Sequence, residues 1–401
     1  MAVRARFLAA CAVTLVGSLA LAGCSGDPVP TAAGDPSPSP SAHSPVPAVA
    51  DGHVPARFRD PLPGMPPVLH DDVYAADGPS MVSPKIAHEP AYLYVPNSYG
   101  APYTTVIDQR THKIVRVLHT GLLNQHVTPS WDLNTLYVEA SESNQLVALN
   151  PHTGRIEKRI PVRRPYNLYF TPNGRQAVVM SEEYNQVLFT DPHTFKTQVV
   201  VSDPSCRGPN HADFSANGRF LVVTCEFSDS LIKVSTVSHR VIGRLDLGPG
   251  SQPQDVRLSP DGRLFYVADM GLNRLDRVSA KTFKVVGATS MPNMPHGIYP
   301  SRDGKYLYVS DRGAGEVSVV SIATNKIVDT WYVPGGSPDM GGVSADGKVL
   351  WLSGRDDGYV YGWNTTTGRL IAHIYVGGSP HGILVWPQPG RYSLGHTGNM
   401  R

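Results

Sequence analysis

The chain has 401 residues, of which 35 are basic and 33 acidic, so its formal net charge is only +2. This balance excludes a nucleic-acid binder that relies on phosphate neutralisation, and the 41% of apolar residues excludes wholesale disorder. With 38 glycines, 36 prolines and only 17% charged residues, the composition favours many short strands joined by tight turns.

The N-terminus has the pattern of a secretory signal peptide. Arg4 and Arg6 form a basic start, and residues 7–22 carry no charge and are largely Ala, Leu and Val. The run ends in Leu21-Ala22-Gly23-Cys24, which resembles a bacterial lipobox. The resemblance implies that residues 1–23 are removed and that Cys24 is acylated, for example with palmitate. The protein would then be a lipoprotein on the extracytoplasmic side of a bacterial cell membrane. The alternative is an ordinary signal peptide with a chance cysteine.

The segment after the signal is rich in Pro, Ser and Ala and shows no apolar periodicity. Such a composition has little to bury and tends towards extended, partly polyproline II backbone. We therefore predict that residues 24–67 form a disordered tether, which lifts the remaining domain, residues 68–401, away from the membrane.

A repeat occupies the rest of the chain. Its most recognisable strand reads Leu-Tyr-Val or similar, and the central residues of this strand follow one another at spacings of 43, 42, 43, 44, 42 and 43. Each unit contains four strand-like stretches, and most contain an Asn-Gly or Asp-Gly pair typical of a hairpin turn. A period of this length with four strands per unit predicts the blades of a propeller. The aligned residues are Tyr94, Tyr137, Val179, Val222, Tyr266, Tyr308 and Trp351.

These units resemble YVTN-type beta-propeller repeats over about residues 80–390. The resemblance implies an all-β, seven-bladed propeller of four-stranded blades. Residues 381–386 match the first strand of a unit without the rest of a blade. We expect them to supply the inner strand of the blade that begins near Tyr92, which removes an exposed sheet edge. Residues 85–89 are a competing source of that strand.

Propeller geometry places the loop before each inner strand at one mouth of the central channel. Four histidines lie at this place at intervals of 85 residues, which is two repeats each time. The first two lie one place later in the unit than the other two, and aspartates occupy comparable places in two further blades. The histidines are His126, His211, His296 and His381, and the aspartates are Asp255 and Asp339.

The loops between second and third strands add charged side chains to the same mouth. A ring of imidazoles, carboxylates and guanidiniums predicts a polar ligand-binding site. The alternative is that these groups only satisfy the ends of the inner strands. The added residues are Glu182, Glu183, Glu226, Asp269, Asp311, Arg312 and Arg355. Four other histidines fall in turns between third and fourth strands, on the opposite face, and are interpreted as solvated: His112, His152, His193 and His239.

Two cysteines remain outside the signal and the lipobox. Cys206 lies in the loop before an inner strand, and Cys225 lies in the next second-to-third-strand loop of the same blade. Because both loops belong to one face and the compartment is oxidising, we predict a disulfide between them.

The favoured function is a non-catalytic, monomeric binding module without a cofactor. Besides the membrane that holds Cys24, its partner would be an extracytoplasmic protein or a small molecule, and no nucleic acid is expected. The expected binding residues are His126, His211, His296, His381, Glu183, Glu226, Asp255, Asp311, Arg312 and Arg355.

Two other functions stay open. The units also resemble the haem-carrying propeller of cytochrome cd-type nitrite reductases, which implies a haem or copper carrier. Its ligands would be the four channel histidines with Arg312 and Arg355, although no Cys-x-x-Cys-His attachment motif is present. Other propellers of this repeat class resemble lactonases or lyases, and here Glu183 or Glu226 with His211 would act as acid and base.

Overall fold

The computed structural model describes residues 55–396 and 398–401, so the predicted signal peptide, Cys24 and the tether before residue 55 lie outside it. Seven antiparallel sheets form the seven blades that the repeats predicted. Blade 1 contains β1 (Tyr92–Tyr99), β2 (Tyr103–Asp108) and β3 (Ile114–His119). Blade 2 contains β4 (Asn124–Pro129), β5 (Leu136–Ala140), β6 (Gln145–Asn150) and β7 (Arg155–Pro161). Blade 3 contains β8 (Asn167–Phe170), β9 (Ala177–Ser181), β10 (Gln186–Thr190) and β11 (Thr197–Val201).

The remaining blades follow in chain order. Blade 4 contains β12 (Pro209–Phe214), β13 (Phe220–Cys225), β14 (Ser230–Ser235) and β15 (Val241–Asp246). Blade 5 contains β16 (Pro253–Leu258), β17 (Leu264–Asp269), β18 (Arg274–Ser279) and β19 (Val285–Ser290). Blade 6 contains β20 (Pro295–Pro300), β21 (Tyr306–Asp311), β22 (Glu316–Ser321) and β23 (Lys326–Tyr332). Blade 7 contains β24 (Pro338–Val343), β25 (Val349–Gly354), β26 (Tyr359–Asn364) and β27 (Leu370–Tyr375). Four short strands follow: β28 (Ser379–Pro380), β29 (Leu384–Trp386), β30 (Ser393–Gly395) and β31 (Asn399–Met400).

Burial within a blade follows strand position. The second and third strands are almost wholly buried, because both of their faces pack against neighbouring blades, and one apolar cluster joins side chains of blades 3 and 4. The fourth strand alternates half-buried and exposed residues, as in β15, because it forms the outer edge. The Asn-Gly turns place Gly174 and Gly218 at φ of 67° and 70°, a conformation that glycine adopts without strain.

The ring is closed by the C-terminal strands. Tyr94 of β1 pairs with Leu384 of β29, and Asn97 pairs with Pro380 of β28, so the inner strand of blade 1 comes from the end of the chain. The competing residues 85–89 form a turn instead. Closure removes the free edge that blade 1 would otherwise expose.

The tether ends earlier than the sequence predicted. Residues 55–90, here called the N-terminal arm, lie on the face opposite the histidine mouth and contact the first-to-second-strand turns. Leu62 donates to the Asn217 carbonyl at 2.7 Å, and Val73 donates to the Pro260 carbonyl at 2.9 Å. Phe58 and Leu62 are buried, and burial of such apolar side chains is what orders this Pro-rich stretch. Residues 55–67, which the sequence assigned to the tether, are therefore described with the propeller domain.

The C-terminal segment, residues 387–396 and 398–401, lies against the inner ends of the blades. Gly395 of β30 pairs with Tyr169 of β8, so this segment extends blade 3. The Arg401 guanidinium is 1% exposed and donates to the Phe214 carbonyl at 2.8 Å. It also lies 3.4 Å from the Asp213 carboxylate, so a buried ion pair fixes the segment.

The helical content of the described residues is confined to three single turns: Ala56–Phe58, Glu182–Tyr184 and Glu226–Ser228. Within residues 55–396 and 398–401, no helix has the length and apolar character needed to cross a membrane.

Candidate metal centre

The inner strands begin with an interruption in their pairing. In blade 4 the ladder passes from Pro209 directly to Ala212, and in blade 6 from Pro295 to Ile298. In blades 2, 4, 5, 6 and 7, two residues thus leave the ladder, and one side chain of each pair lies in the channel. In blades 2, 4 and 5 the channel residue is the second of the pair, and in blades 6 and 7 it is the first. This one-residue offset in the sequence separates the polar residues into two clusters.

The first group, here called the tri-histidine cluster, consists of His126, His211 and His396. One ring nitrogen of each lies within 4.8 Å of the others, and all three residues are at most 1% exposed. The Nδ1 atoms of His126 and His396 are 3.1 Å apart, and the rings of His211 and His396 have centroids 4.8 Å apart. Among the described residues, neither ring nitrogen of His211 has a hydrogen-bond partner, and Nε2 of His126 has none either.

The second group, here called the His–Asp–His cluster, consists of His296, Asp339 and His381. Nδ1 of His296 lies 3.2 Å from Oδ1 of Asp339, and Nε2 of His381 lies 3.6 Å from Oδ2. Nδ1 of His381 also lies 3.0 Å from the Gln125 amide oxygen, which fixes the orientation of that ring. The two clusters share a wall, since the rings of His126 and His381 have centroids 4.6 Å apart.

All five histidines are held neutral by their surroundings. Burial lowers the pKa of each ring, well below its usual value in four of them, and neighbouring histidines or Arg355 lower the pKa of His126 and His381 further. Asp255 behaves differently. Burial alone raises the pKa of its carboxyl, but Arg257 and His396 outweigh burial and keep it ionised. Neutral imidazole is the protonation state that ligates metal ions.

The mouth above the clusters carries the predicted guanidiniums and carboxylates. Nη1 of Arg312 lies 3.3 Å from Oδ1 of Asp339, and Nε of Arg355 lies 4.0 Å from Oδ2. Glu226 accepts from the Asn210 side chain at 2.9 Å. Burial, followed by the charge of Glu226, raises the pKa of Glu182 to about 8, so this residue is mostly protonated at neutral pH.

Other predicted mouth residues have local structural roles. Glu183 is 59% exposed and pairs with Arg164 at 2.9 Å, away from the channel histidines. Asp311 accepts from the Ser318 hydroxyl at 2.7 Å within blade 6, and Asp269 accepts from Ser251 at 2.9 Å within blade 5. The four turn histidines lie apart from both clusters.

His396 was missed by the sequence reasoning. It lies in the C-terminal segment, outside the repeat, so it has no equivalent at the repeat spacing. Its neighbours Gly395 and Gly398 both have positive φ, and these glycines beside a histidine were the available signal of a tight turn. The turn carries His396 to within 3.8 Å of the Asp255 carboxylate.

One glycine allows the closest contact in the site. A Cβ placed on Gly382 would lie 1.8 Å from Nδ1 of His126, and the Gly382 amide donates to the Gln125 carbonyl at 2.9 Å. The Pro-His-Gly sequence therefore positions the rings of blades 1 and 2 against each other, because a side chain at this glycine would displace His126.

A disulfide joins Cys206 and Cys225, with a sulfur–sulfur distance of 2.00 Å. Cys225 ends β13 and pairs with Pro209, two residues before His211. The bond therefore ties the loop before β12 to the neighbouring strand in the blade that carries His211.

Comparisons with known proteins agree on the fold. A family model described as YNCE-like beta-propeller matches residues 94–390. No curated protein sequence matches the chain significantly. Among solved structures, hydrazine synthase from Kuenenia stuttgartiensis is 19% identical with a TM-score of 0.55, covering 72% of this chain and 97% of that one.

Two further structures are similar. Dihydro-haem d1 dehydrogenase NirN is 12% identical with a TM-score of 0.57, covering 73% of this chain and 75% of its own. A Bacteroides uniformis protein assigned as a 6-phosphogluconolactonase is 18% identical with a TM-score of 0.58, covering 73% of this chain and 98% of that one. At these identities the similarity establishes the propeller fold, which is shared by proteins of different activity.

Proposed function

This chain belongs to the YNCE-like beta-propeller family, and because that fold does not determine an activity, we propose a function from the site itself. The protein is a metal-binding propeller that holds one transition-metal ion in the tri-histidine cluster. The proposal departs from the favoured expectation of a module without a cofactor and takes up the metal-binding side of the alternative, a copper carrier.

The observation that supports this proposal is the convergence of three buried imidazoles, one of which, His211, has no hydrogen-bond partner on either ring nitrogen among the described residues. A buried polar group is normally paired, and leaving one unpaired costs about 1–3 kcal/mol. Both nitrogens of His211 bear this cost among the described residues. A bound cation would remove the cost at one of the two nitrogens by accepting its lone pair.

The spacing of the ligand atoms also suits an ion. Nitrogens about 2.0–2.1 Å from a tetrahedral zinc ion lie about 3.3 Å from each other. The Nδ1 atoms of His126 and His396 are 3.1 Å apart, so a small movement brings them to that distance. Three neutral imidazoles suit copper, zinc, iron or nickel and leave a coordination position for an external ligand.

The alternatives drawn from sequence receive less support. A haem needs a slot as large as its macrocycle beside the axial histidine, whereas the ring of each histidine has a neighbouring histidine ring with its centroid within 6.1 Å. For a lactonase- or lyase-like function, Glu183 or Glu226 would act with His211. Glu226 instead accepts a hydrogen bond from Asn210, and Glu183 forms an ion pair with Arg164. The haem-binding and lactone-processing residues therefore do not assemble as those functions require.

We also propose a location for the protein, supported by its N-terminal sequence. We place the protein at the extracytoplasmic face of the cell membrane, anchored through an acylated Cys24. Changing Cys24 to Ser is expected to move the protein from the membrane fraction to the soluble fraction, because the predicted acyl chains on Cys24 would be lost. Membrane fractionation with an immunoblot measures this, and a variant that stays with the membrane would contradict the anchor.

Metal titration of the purified domain tests the proposed function. Chelator-treated protein is incubated with Cu²⁺ or Zn²⁺, passed over a desalting column and analysed for metal. We expect at least one ion per chain to remain bound after the column, because three buried ligands slow its release. Retention of neither ion would contradict the proposal.

A matched control separates the buried site from surface histidines. A variant with Asn at each turn histidine (His112, His152, His193 and His239) is expected to retain the same metal content as the wild type. If that variant lost the ion, binding would belong to the surface and the tri-histidine proposal would be wrong.

A further inference from the structure

The His–Asp–His cluster offers a second complete set of metal ligands, independent of the first. It shares no residue with the tri-histidine cluster, and one ligand atom from each of its members lies within 4.8 Å of the others. Among the described residues, Nδ1 of His296 and Oδ2 of Asp339 are buried without a hydrogen-bond partner. Two imidazoles and one carboxylate on one face form a ligand set that suits divalent transition metals and leaves coordination positions open.

The charge around this cluster differs from that around the first. The Asp339 carboxylate lies beside two guanidiniums, those of Arg312 and Arg355. With a divalent ion bound by neutral imidazoles, the local charge would be strongly positive in a buried setting. An uncompensated buried charge is costly, so an added anion would stabilise the loaded cluster.

The two guanidiniums also mark the direction from which such an anion would come. Their side chains are 15% and 16% exposed, whereas those of His296 and His381 are at most 3% exposed. Arg312 and Arg355 therefore lie between the cluster and the solvent at the mouth. Guanidinium groups bind small oxyanions and similar anions through charge-assisted hydrogen bonds.

We propose that the His–Asp–His cluster binds a second divalent transition-metal ion together with a small external anion that Arg312 and Arg355 hold at its open position. This proposal rests on the proposed function, because the two clusters would form one two-ion centre. Since the rings of His126 and His381 have centroids 4.6 Å apart, two ions would lie close enough to interact.

Metal stoichiometry tests the second site. Wild-type protein titrated with Cu²⁺ is expected to bind two ions per chain, with weaker EPR intensity per copper in the doubly loaded form because neighbouring Cu²⁺ spins couple. Asp339→Asn and, separately, His296→Asn are expected to bind one ion with a full single-copper signal, while circular dichroism confirms that each variant is folded.

The outcomes separate the two proposals. One ion in both the wild type and Asp339→Asn would overturn the second site and leave the first intact. Two ions in both folded variants would place the second ion elsewhere and overturn this proposal. No ion in the wild type would overturn the proposed function as well.

Azide is the probe for the external anion. Titration of azide into the copper-loaded wild type is expected to change the visible absorption by forming an azide-to-copper charge-transfer band. Arg312→Gln with Arg355→Gln is expected to weaken azide binding at least about tenfold, while the protein still binds two copper ions. Unchanged azide affinity in that variant, or no spectral response in the wild type, would overturn the role of the guanidiniums.

Discussion

Replacing His211 by Leu is expected to weaken metal binding to the tri-histidine cluster at least about hundredfold and to stabilise the metal-free protein. Both effects have one physical origin. His211 is fully buried, and neither of its ring nitrogens has a partner among the described residues. Leucine has a similar volume and no polar atom, so the substitution removes a desolvation cost of about 1–3 kcal/mol.

The measurement compares metal affinity with the free energy of unfolding in urea, each without and with the ion. A residue of purely structural importance would show the reverse pattern, because its loss would lower the stability of the metal-free protein. His239→Leu, in a turn on the opposite face, is the control and is expected to change metal affinity little. If His211→Leu bound metal like the wild type, the tri-histidine proposal would fail.

Removing the Arg401 guanidinium is expected to cause the largest loss of stability. Arg401→Ala leaves the buried Asp213 carboxylate without its ion pair, and breaking one partner of a buried pair costs about 3–5 kcal/mol. Asp213 retains a hydrogen bond from Asn399 at 3.1 Å, so we expect the cost to lie near the lower end of that range. Urea denaturation monitored by tryptophan fluorescence measures the change.

Arg401 also acts as a positioning residue, because the C-terminal segment that it fixes carries His396. We therefore expect Arg401→Ala to lower metal affinity at temperatures where the variant is fully folded. Arg391→Ala is the matched control, since the Arg391 guanidinium lies on the surface of the same segment and donates to the Pro67 carbonyl at 2.9 Å. Equal effects of the two substitutions would show that the buried ion pair has no special role.

The sequence predicted the propeller because each blade is specified locally. Four strands, a hairpin pair such as Asn173-Gly174 and a fixed period recur within one unit, so the pattern survives even when individual residues vary. The closing strand was also visible, since residues 381–386 match a first strand. The N-terminal arm was not, because its ordering depends on Phe58 and Leu62 meeting the distant turns of blade 4, and composition does not encode that contact.

The candidate site was predicted only in part for the same reason. Spacing identified His126, His211, His296 and His381 and showed their one-residue offset, but it assigned all four to a single ring. The division into two clusters depends on which of the two residues outside the ladder carries the channel side chain, and only the fold shows that these two residues leave the ladder. His396 is separated from His126 by 270 residues and lies beyond the repeat, so only the folded chain brings them together.

Closure of the ring by the end of the chain also sets an order of events. Two histidines of the tri-histidine cluster, His126 and His211, belong to blades formed early in synthesis. The third, His396, follows strand β29, which completes blade 1. The chain must lose the conformational entropy of closing a long loop before such distant groups can meet. In the proposed function, the tri-histidine site would load its ion only after blade 1 is completed, so bound metal would report that the chain has finished folding.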